Sequence, residues 1–358
     1  MKARLALLIA ALLLVALGCG LATPPATQPA TSTNPQPALD VPKFGIAGLI
    51  PRNFPNSTQD DWINLYETLS ETGELLGAYT DWTDSPETAG QIPNVVNTVF
   101  GLAPRYNFTP LIALGFFRDK PEGGLELSLA LANAEEREKF KQVASAIAEK
   151  YQPLYLALGV EINRYYEHDS TGFDAFVSLY AETYEAVKAA SPDTLVFPVF
   201  QYEMLRGGEF FTGDGQNPPQ WELLDLFGDR LDLAAFTTYP FLLYTAPSDL
   251  PADYYTEIAR HTSLPVAFTE IGWPSEPLAP APDSPFGGSE AEQTTFVRRF
   301  FELTRNINLT LSLWSFPHDL GPQTNPAFTS VSLRYNNGRS KPALAVWQEF
   351  VKSGGGNP

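Results

Sequence analysis

The chain of 358 residues contains a single cysteine, Cys19, and only three histidines. One cysteine excludes an intrachain disulfide, so the fold must rest on its own packed core. Three histidines do not make a convincing metal cluster, and no cofactor of any kind is expected. Basic residues are scarce: 23 Lys and Arg stand against 41 Asp and Glu, a net charge of −18. That imbalance argues against nucleic acid and anionic lipid headgroups as partners. Beyond the first twenty residues no apolar run is long enough to act as a stop-transfer segment. There is no Gly-rich phosphate loop after the first apolar run, and no serine in a nucleophile-elbow pattern.

The N-terminus has what the rest lacks. Met1-Lys2-Ala3-Arg4 is a short positive head, followed by unbroken Leu, Ala, Ile and Val over 5–17. Residues 1–18 therefore read as a signal peptide. Ala16-Leu17-Gly18-Cys19 resembles the signal of bacterial lipoproteins, in which the cysteine is lipidated and becomes the mature N-terminus. Ala16 stands where Leu is usual, and Ala16-Leu17-Gly18 also suits ordinary signal peptidase. A lipid at Cys19 would hold the protein on a membrane at the cell surface; plain cleavage would secrete it. Residues 19–42, rich in Pro, Thr and Ala, form a flexible tether, and 353–358 a loose tail. Residues 43–352 remain as one domain, large enough for a sizeable core and expected to be monomeric.

Within that domain short apolar runs alternate with longer amphipathic ones. Strands are expected at 44–49, 75–79, 109–114, 154–159, 195–200, 231–237, 266–269 and 309–314. Helical periodicity marks 133–150 and 172–190, and Ser289-Glu290-Ala291-Glu292 opens 289–306 with a capping-box pattern. Eight strand–helix repeats over about 310 residues predict a (β/α)₈ TIM barrel. In that fold chemistry sits at the C-terminal ends of the strands. The carboxylates there are Asp81, Asp119, Glu161, Glu203, Glu270 and Asp319.

Two of these stand out. Leu158-Gly159-Val160-Glu161-Ile162-Asn163 ends the fourth strand, and Phe268-Thr269-Glu270-Ile271-Gly272-Trp273-Pro274-Ser275 ends the seventh. A glutamate directly after an apolar strand is costly to place unless something uses it. A salt bridge would account for one; a pair on strands four and seven is harder to dismiss. Here the chain resembles the clan of retaining glycoside hydrolases built on a (β/α)₈ barrel. Its strand-seven segment is particularly similar to the nucleophile segment of endo-β-1,3-glucanases and endo-β-galactanases.

The resemblance implies that Glu161 is the acid/base and Glu270 the nucleophile. A retaining pair stands ~5–5.5 Å apart, with the acid kept protonated by apolar surroundings and the nucleophile kept ionised by donors. It also implies that Tyr239 lies beside the nucleophile and that Trp314 offers a face on which the sugar stacks. Two departures stand against it. The Asn usual before the acid/base glutamate is replaced by Val160, and the Arg usual near strand two is missing, Arg52 being the nearest candidate in sequence order.

Trp82, Tyr165, Tyr202 and Trp273 follow strands and are candidate stacking platforms. Asn163 and Glu203 are candidate hydrogen-bond partners for substrate, and His318, with Asp319, is expected to line the site. The expected function is retaining hydrolysis of a neutral, β-linked poly- or oligosaccharide. The rival is a surface lipoprotein that keeps the barrel and binds carbohydrate without cleaving it, which Val160 favours.

Overall fold

A computed structural model of the chain describes residues 41–84, 86–120, 123–209, 216–277, 287–320 and 326–356. The signal peptide and the tether as far as residue 40, Cys19 included, lie outside the described residues.

The strands form one parallel sheet closed on itself. They are β1 (Lys43–Ala47), β2 (Leu75–Asp81), β3 (Thr109–Gly115), β4 (Tyr155–Leu158) and β5, which runs as Leu195–Phe197 and Val199–Gln201 either side of Pro198. After them come β6 (Ala234–Thr238), β7 (Val266–Ile271) and β8 (Leu309–Ser315). The first part of β5 pairs with β4 and the second with β6, so the strand interrupted at Pro198 closes the ring. Proline has no N–H for the ladder, which explains a break at that point. Each expected strand is present, within a few residues at its ends.

Two apolar layers result. Ala47, Leu75, Leu111, Ala113, Ala157, Val199, Ala235, Ala267, Leu311 and Leu313 fill the barrel interior. The opposite faces of the same strands pack against helices α1 (Gln59–Glu67), α2 (Asn94–Tyr106), α3 (Ala134–Tyr151), α4 (Ile162–His168), α5 (Ser170–Ala190), α6 (Tyr202–Arg206), α7 (Glu290–Thr304) and α8 (Pro342–Lys352). Helix starts follow local chemistry: the Asn133 side chain accepts from the Glu135 and Glu136 amides, and Ser289 accepts from Glu292. Among the described residues no helix is long and apolar enough to cross a membrane.

The expectation of a loose tail from 353 needs correction up to Gly356. Gly354 adopts φ 66°, its N–H reaches the Val351 carbonyl, and the Gly355 N–H reaches Phe350. That is a Schellman cap, and the left-handed residue it needs is supplied by glycine.

Gly45 matters for closure. It pairs with Leu75 on one side and Leu313 on the other, and a Cβ there would stand 2.0 Å from the Leu75 carbonyl oxygen. Gly45→Ala is expected to lower stability by about 1–3 kcal/mol, since a backbone clash has no rotamer escape. A melting temperature equal to wild type would contradict this.

Candidate active site

Glu161 follows β4 with its backbone left-handed, φ 53° and ψ 44°, directly after Gly159 at φ 89° and Val160. A glutamate held there stores roughly 1–3 kcal/mol of strain, which neighbouring structure has to sustain. Its carboxylate is buried. Thr237 of β6 donates to Oε1 at 2.8 Å, and Arg164 of α4 donates to Oε2 at 3.0 Å. Arg164 also holds Asp119, at the end of the first strand of a hairpin (Phe117–Asp119 and Leu125–Leu127) that follows β3.

Glu270 reaches the same place through an irregular ladder. Ala267 faces the barrel interior and Phe268 the helices, so strict alternation would turn Glu270 outward. The ladder slips by one residue: Phe236 pairs with Phe268, but Thr237 pairs with Glu270, leaving Thr269 as the extra residue of a bulge. This resets the phase and turns Glu270 inward. Tyr239 donates to Glu270 Oε2, and its hydroxyl also lies 2.7 Å from Ser315 Oγ of β8. Tyr79 of β2 stands beside Glu270, its own hydroxyl donating to the Thr269 carbonyl at 2.8 Å.

The two glutamates are therefore neighbours. Thr237 is the register partner of Glu270 and the hydrogen-bond donor to Glu161. Paired Cα atoms of adjacent strands lie about 4.8 Å apart. Burial, then the charge of Glu161, pushes the Glu270 carboxyl up to about 8, with the adjacent Tyr239 and Tyr79 hydroxyls acting against it. Burial likewise raises Glu161, opposed chiefly by Arg164.

A raised folded-state value means that the folded protein keeps a proton the unfolded chain has lost. The stabilisation by Glu270 is therefore full below its ordinary value of 4.5 and lost as pH rises through about 8. Thermal melting is expected to weaken across that window. Glu270→Gln, which has no charge to bury, should melt higher than wild type at its upper end. A variant that melts lower there would count against the shift.

Several expected site residues stand elsewhere. Trp314 points away from the barrel interior, donates to the Val331 carbonyl and packs on Phe296 and Trp347. Trp273 is buried against Phe241 and Phe296, and Trp82 packs on Phe140 and donates to Ser128. Tyr165 lies among Phe116, Phe117 and Phe173, and Tyr202 among Trp221, Phe236 and Tyr254. These five rings belong to the packing between strands and helices, so none is a sugar platform.

Glu203 is fully buried and both its oxygens are taken, by Thr238 and Tyr254 on Oε1 and by Gln201 and the Tyr239 amide on Oε2. It fixes the segment that carries Tyr239 and has no capacity left for substrate. Asn163 clamps the Gln201 backbone through both N–H and carbonyl, tying α4 to β5. His318 is buried with Nδ1 on the Ile50 carbonyl, and burial lowers it to about 4, so it is a neutral core imidazole. Asp319 pairs with Lys341, and Arg52 pairs with Asp61 of α1. Val160 does turn into the barrel interior, among Ala47, Ala113 and Ala157.

Of the expected set, the structure brings together Glu161, Glu270 and Tyr239. It adds Tyr79, Thr237, Ser315 and Arg164, and gives Asp119 a partner. Arg164 could have been suspected from its place three residues after Glu161 at the start of a helix. The others had no sequence signal, being ordinary strand residues until the ring closes. Among the described residues no group of three or more His, Cys, Asp or Glu side chains is placed to hold a metal ion.

Fold and site together define a closed (β/α)₈ barrel with two buried, interacting glutamates at the mouth ends of β4 and β7. No protein-family model matches this chain, and no curated protein matches it. Solved structures do. A family 39 glycoside hydrolase from Bacteroides cellulosilyticus WH2 is 17% identical over 85% of this chain and 62% of its own, with a TM-score of 0.58. GH5_18 from Streptomyces cattleya, solved with Manβ1-4GlcNAc, is 16% identical over 87% of this chain and 80% of its own, TM-score 0.61. An exo-β-1,4-mannosidase from Opitutaceae bacterium strain TAV5 is 14% identical over 87% of this chain and 59% of its own, TM-score 0.62. The chain thus spans less than two thirds of the length of the first and third. At these identities the likeness establishes the fold, and the chemistry has to be argued from the site.

Proposed function

We propose that this protein is a retaining glycoside hydrolase acting on a neutral, β-linked poly- or oligosaccharide. The observation that carries the reading is the pair itself: two buried glutamates from β4 and β7, linked through Thr237, with the charge of Glu161 raising the affinity of Glu270 for a proton. In a double displacement one carboxylate attacks the sugar carbon while the other protonates the leaving oxygen, then deprotonates the incoming water. Glu270 is the nucleophile and Glu161 the acid/base in this reading. Tyr239 and Tyr79 hold the nucleophile in line, and Thr237 orients the acid/base. The carboxylates supply acid, base and nucleophile, so no cofactor enters the scheme. That the neighbouring structures are glycoside hydrolases supports the reaction class. We propose further that the protein is exported and held at the cell surface by a lipid on Cys19, and that it acts as a monomer.

A second reading, carbohydrate capture without turnover, is favoured by two features. Val160 cannot donate the bond to the sugar hydroxyl next to the reacting carbon, a bond that strengthens in the transition state. Arg164 is seated on Glu161, which favours the carboxylate over the acid. Assay of the purified protein against β-glucans, galactans and mannans separates the readings. New reducing ends from one of these polymers support hydrolysis. Binding with no new ends supports capture, and neither result on any polymer overturns both.

A further inference from the structure

The two terminal nitrogens of Arg164 are divided between carboxylates. Nη1 stands 3.0 Å from Glu161 Oε2, while Nη2 bonds Asp119. The side chains of Arg164, Asp119 and Glu161 are 10%, 9% and 2% exposed, so water screens this triad little. A guanidinium has donors only and does not deprotonate in proteins. The Glu161 oxygen facing it must therefore be a bare acceptor, and Thr237 donates to the other oxygen.

Glu270 is placed differently. It faces no cation. Its Oε2 meets the Tyr239 hydroxyl, which also touches Ser315 Oγ, and either of those two hydroxyls can be the donor. With the Tyr239 hydrogen turned to Ser315, the Tyr239 oxygen is free to accept a hydrogen bond from a protonated Glu270. The Tyr79 hydrogen is already given to the Thr269 carbonyl.

We propose that Arg164, anchored by Asp119, is a positioning residue that keeps Glu161 as the carboxylate and leaves the proton of the pair on Glu270. The charged and titratable groups facing the pair are Arg164 from α4, Asp119 from the hairpin, Tyr79 from β2 and Tyr239 after β6. Arg164 is the one cation among them, and it sits on Glu161. Burial and the charge of Glu161 push Glu270 in the same direction.

This resting distribution is the reverse of the one a double displacement starts from. On the hydrolase reading, a proton must leave Glu270 and bond to Glu161, moving the negative charge onto the nucleophile, before either can act. The Arg164–Asp119 pair then works as a latch on the acid. A sugar hydroxyl, which can accept from the guanidinium, is the kind of group that would draw it away.

The position of the proton is testable without any activity. Full-length protein labelled with ¹³C at the glutamate carboxyl would be titrated by NMR, with Glu161→Gln and Glu270→Gln spectra assigning the two resonances. Wild type is expected to show Glu161 ionised at neutral pH and Glu270 titrating near 8. Arg164→Gln should raise the Glu161 titration by roughly one to three pH units and lower that of Glu270, and Arg164→Lys should restore the wild-type order. If the single variant does not fold, Asp119→Asn with Arg164→Gln removes the pair without leaving Asp119 as a second buried carboxylate lacking its cation, and the same shift is expected. A protonated Glu161 in neutral wild type, or unchanged titrations in the variants, would overturn the proposal. Because the readout is protonation, failure to hydrolyse any glycan would sink the hydrolase reading and leave this assignment standing.

Discussion

Glu270→Gln is expected to reduce kcat/KM on the cleaved glycan by about 10⁴-fold or more, the scale on which removal of a covalent nucleophile acts. The amide fills the same space and keeps an oxygen for the Tyr239 hydroxyl, so the barrel should be undisturbed. What it lacks is the anionic oxygen that attacks carbon. Since the variant also loses a buried charge, its melting temperature at the alkaline end should rise while its activity disappears. That combination separates a catalytic loss from a folding defect. Activity within tenfold of wild type would end the nucleophile assignment.

Glu161→Gln is expected to lose about 10²–10⁴-fold on natural glycans, the usual contribution of general acid–base catalysis. The loss should depend on the leaving group. An aryl glycoside whose phenolate leaves without a proton needs no acid in the first step, so formation of the glycosyl-enzyme should be largely spared. Deglycosylation should then limit the rate and be rescued by added azide, which attacks without a base and gives a glycosyl azide of retained configuration. Equal loss on natural and activated substrates, with no rescue, would exclude Glu161 as the acid/base. Removing Glu161 also leaves Arg164 paired with Asp119 alone, so the guanidinium keeps a partner and the fold should persist.

The size of these effects depends on which carboxylate holds the proton at rest. If Arg164 keeps Glu161 ionised, wild type spends most of its time in the unproductive arrangement, and its activity maximum is held below what the constellation could reach. A modest wild-type rate is then the expected companion of an intact site, and Val160 lowers it further by withholding a transition-state hydrogen bond.

Local order decided much of this protein. The strand and helix repeats follow from short apolar runs and helical periodicity, and caps such as Asn133 and Ser289 act within four residues. Once eight repeats imply a barrel, the ends of β4 and β7 are specified, and Glu161 and Glu270 follow. What local order could not say is which way a side chain points. Barrel strands are buried on both faces, so they read as continuous apolar runs with no polar alternation to separate inside from outside. Trp314 is the example. Leu311 and Leu313 fill the interior while Trp314, between Leu313 and Ser315, packs against the helices, and either phase was compatible with the run.

The bulge at Thr269 shows the same limit more sharply. Glu270 faces the site because β6 and β7 slip by one residue against each other, a property of the pairing and of neither strand alone. Glu203 looked available and is consumed by Thr238, Tyr254, Gln201 and Tyr239, partners scattered over some fifty residues of chain. Arg164 meets Asp119 only because the hairpin after β3 folds over the start of α4. Sequence thus determined the barrel and its two glutamates, because propensity, capping and apolar spacing are local. Tertiary structure decided the direction of each side chain and the charge beside each carboxylate, because both depend on pairing and proximity between residues far apart along the chain.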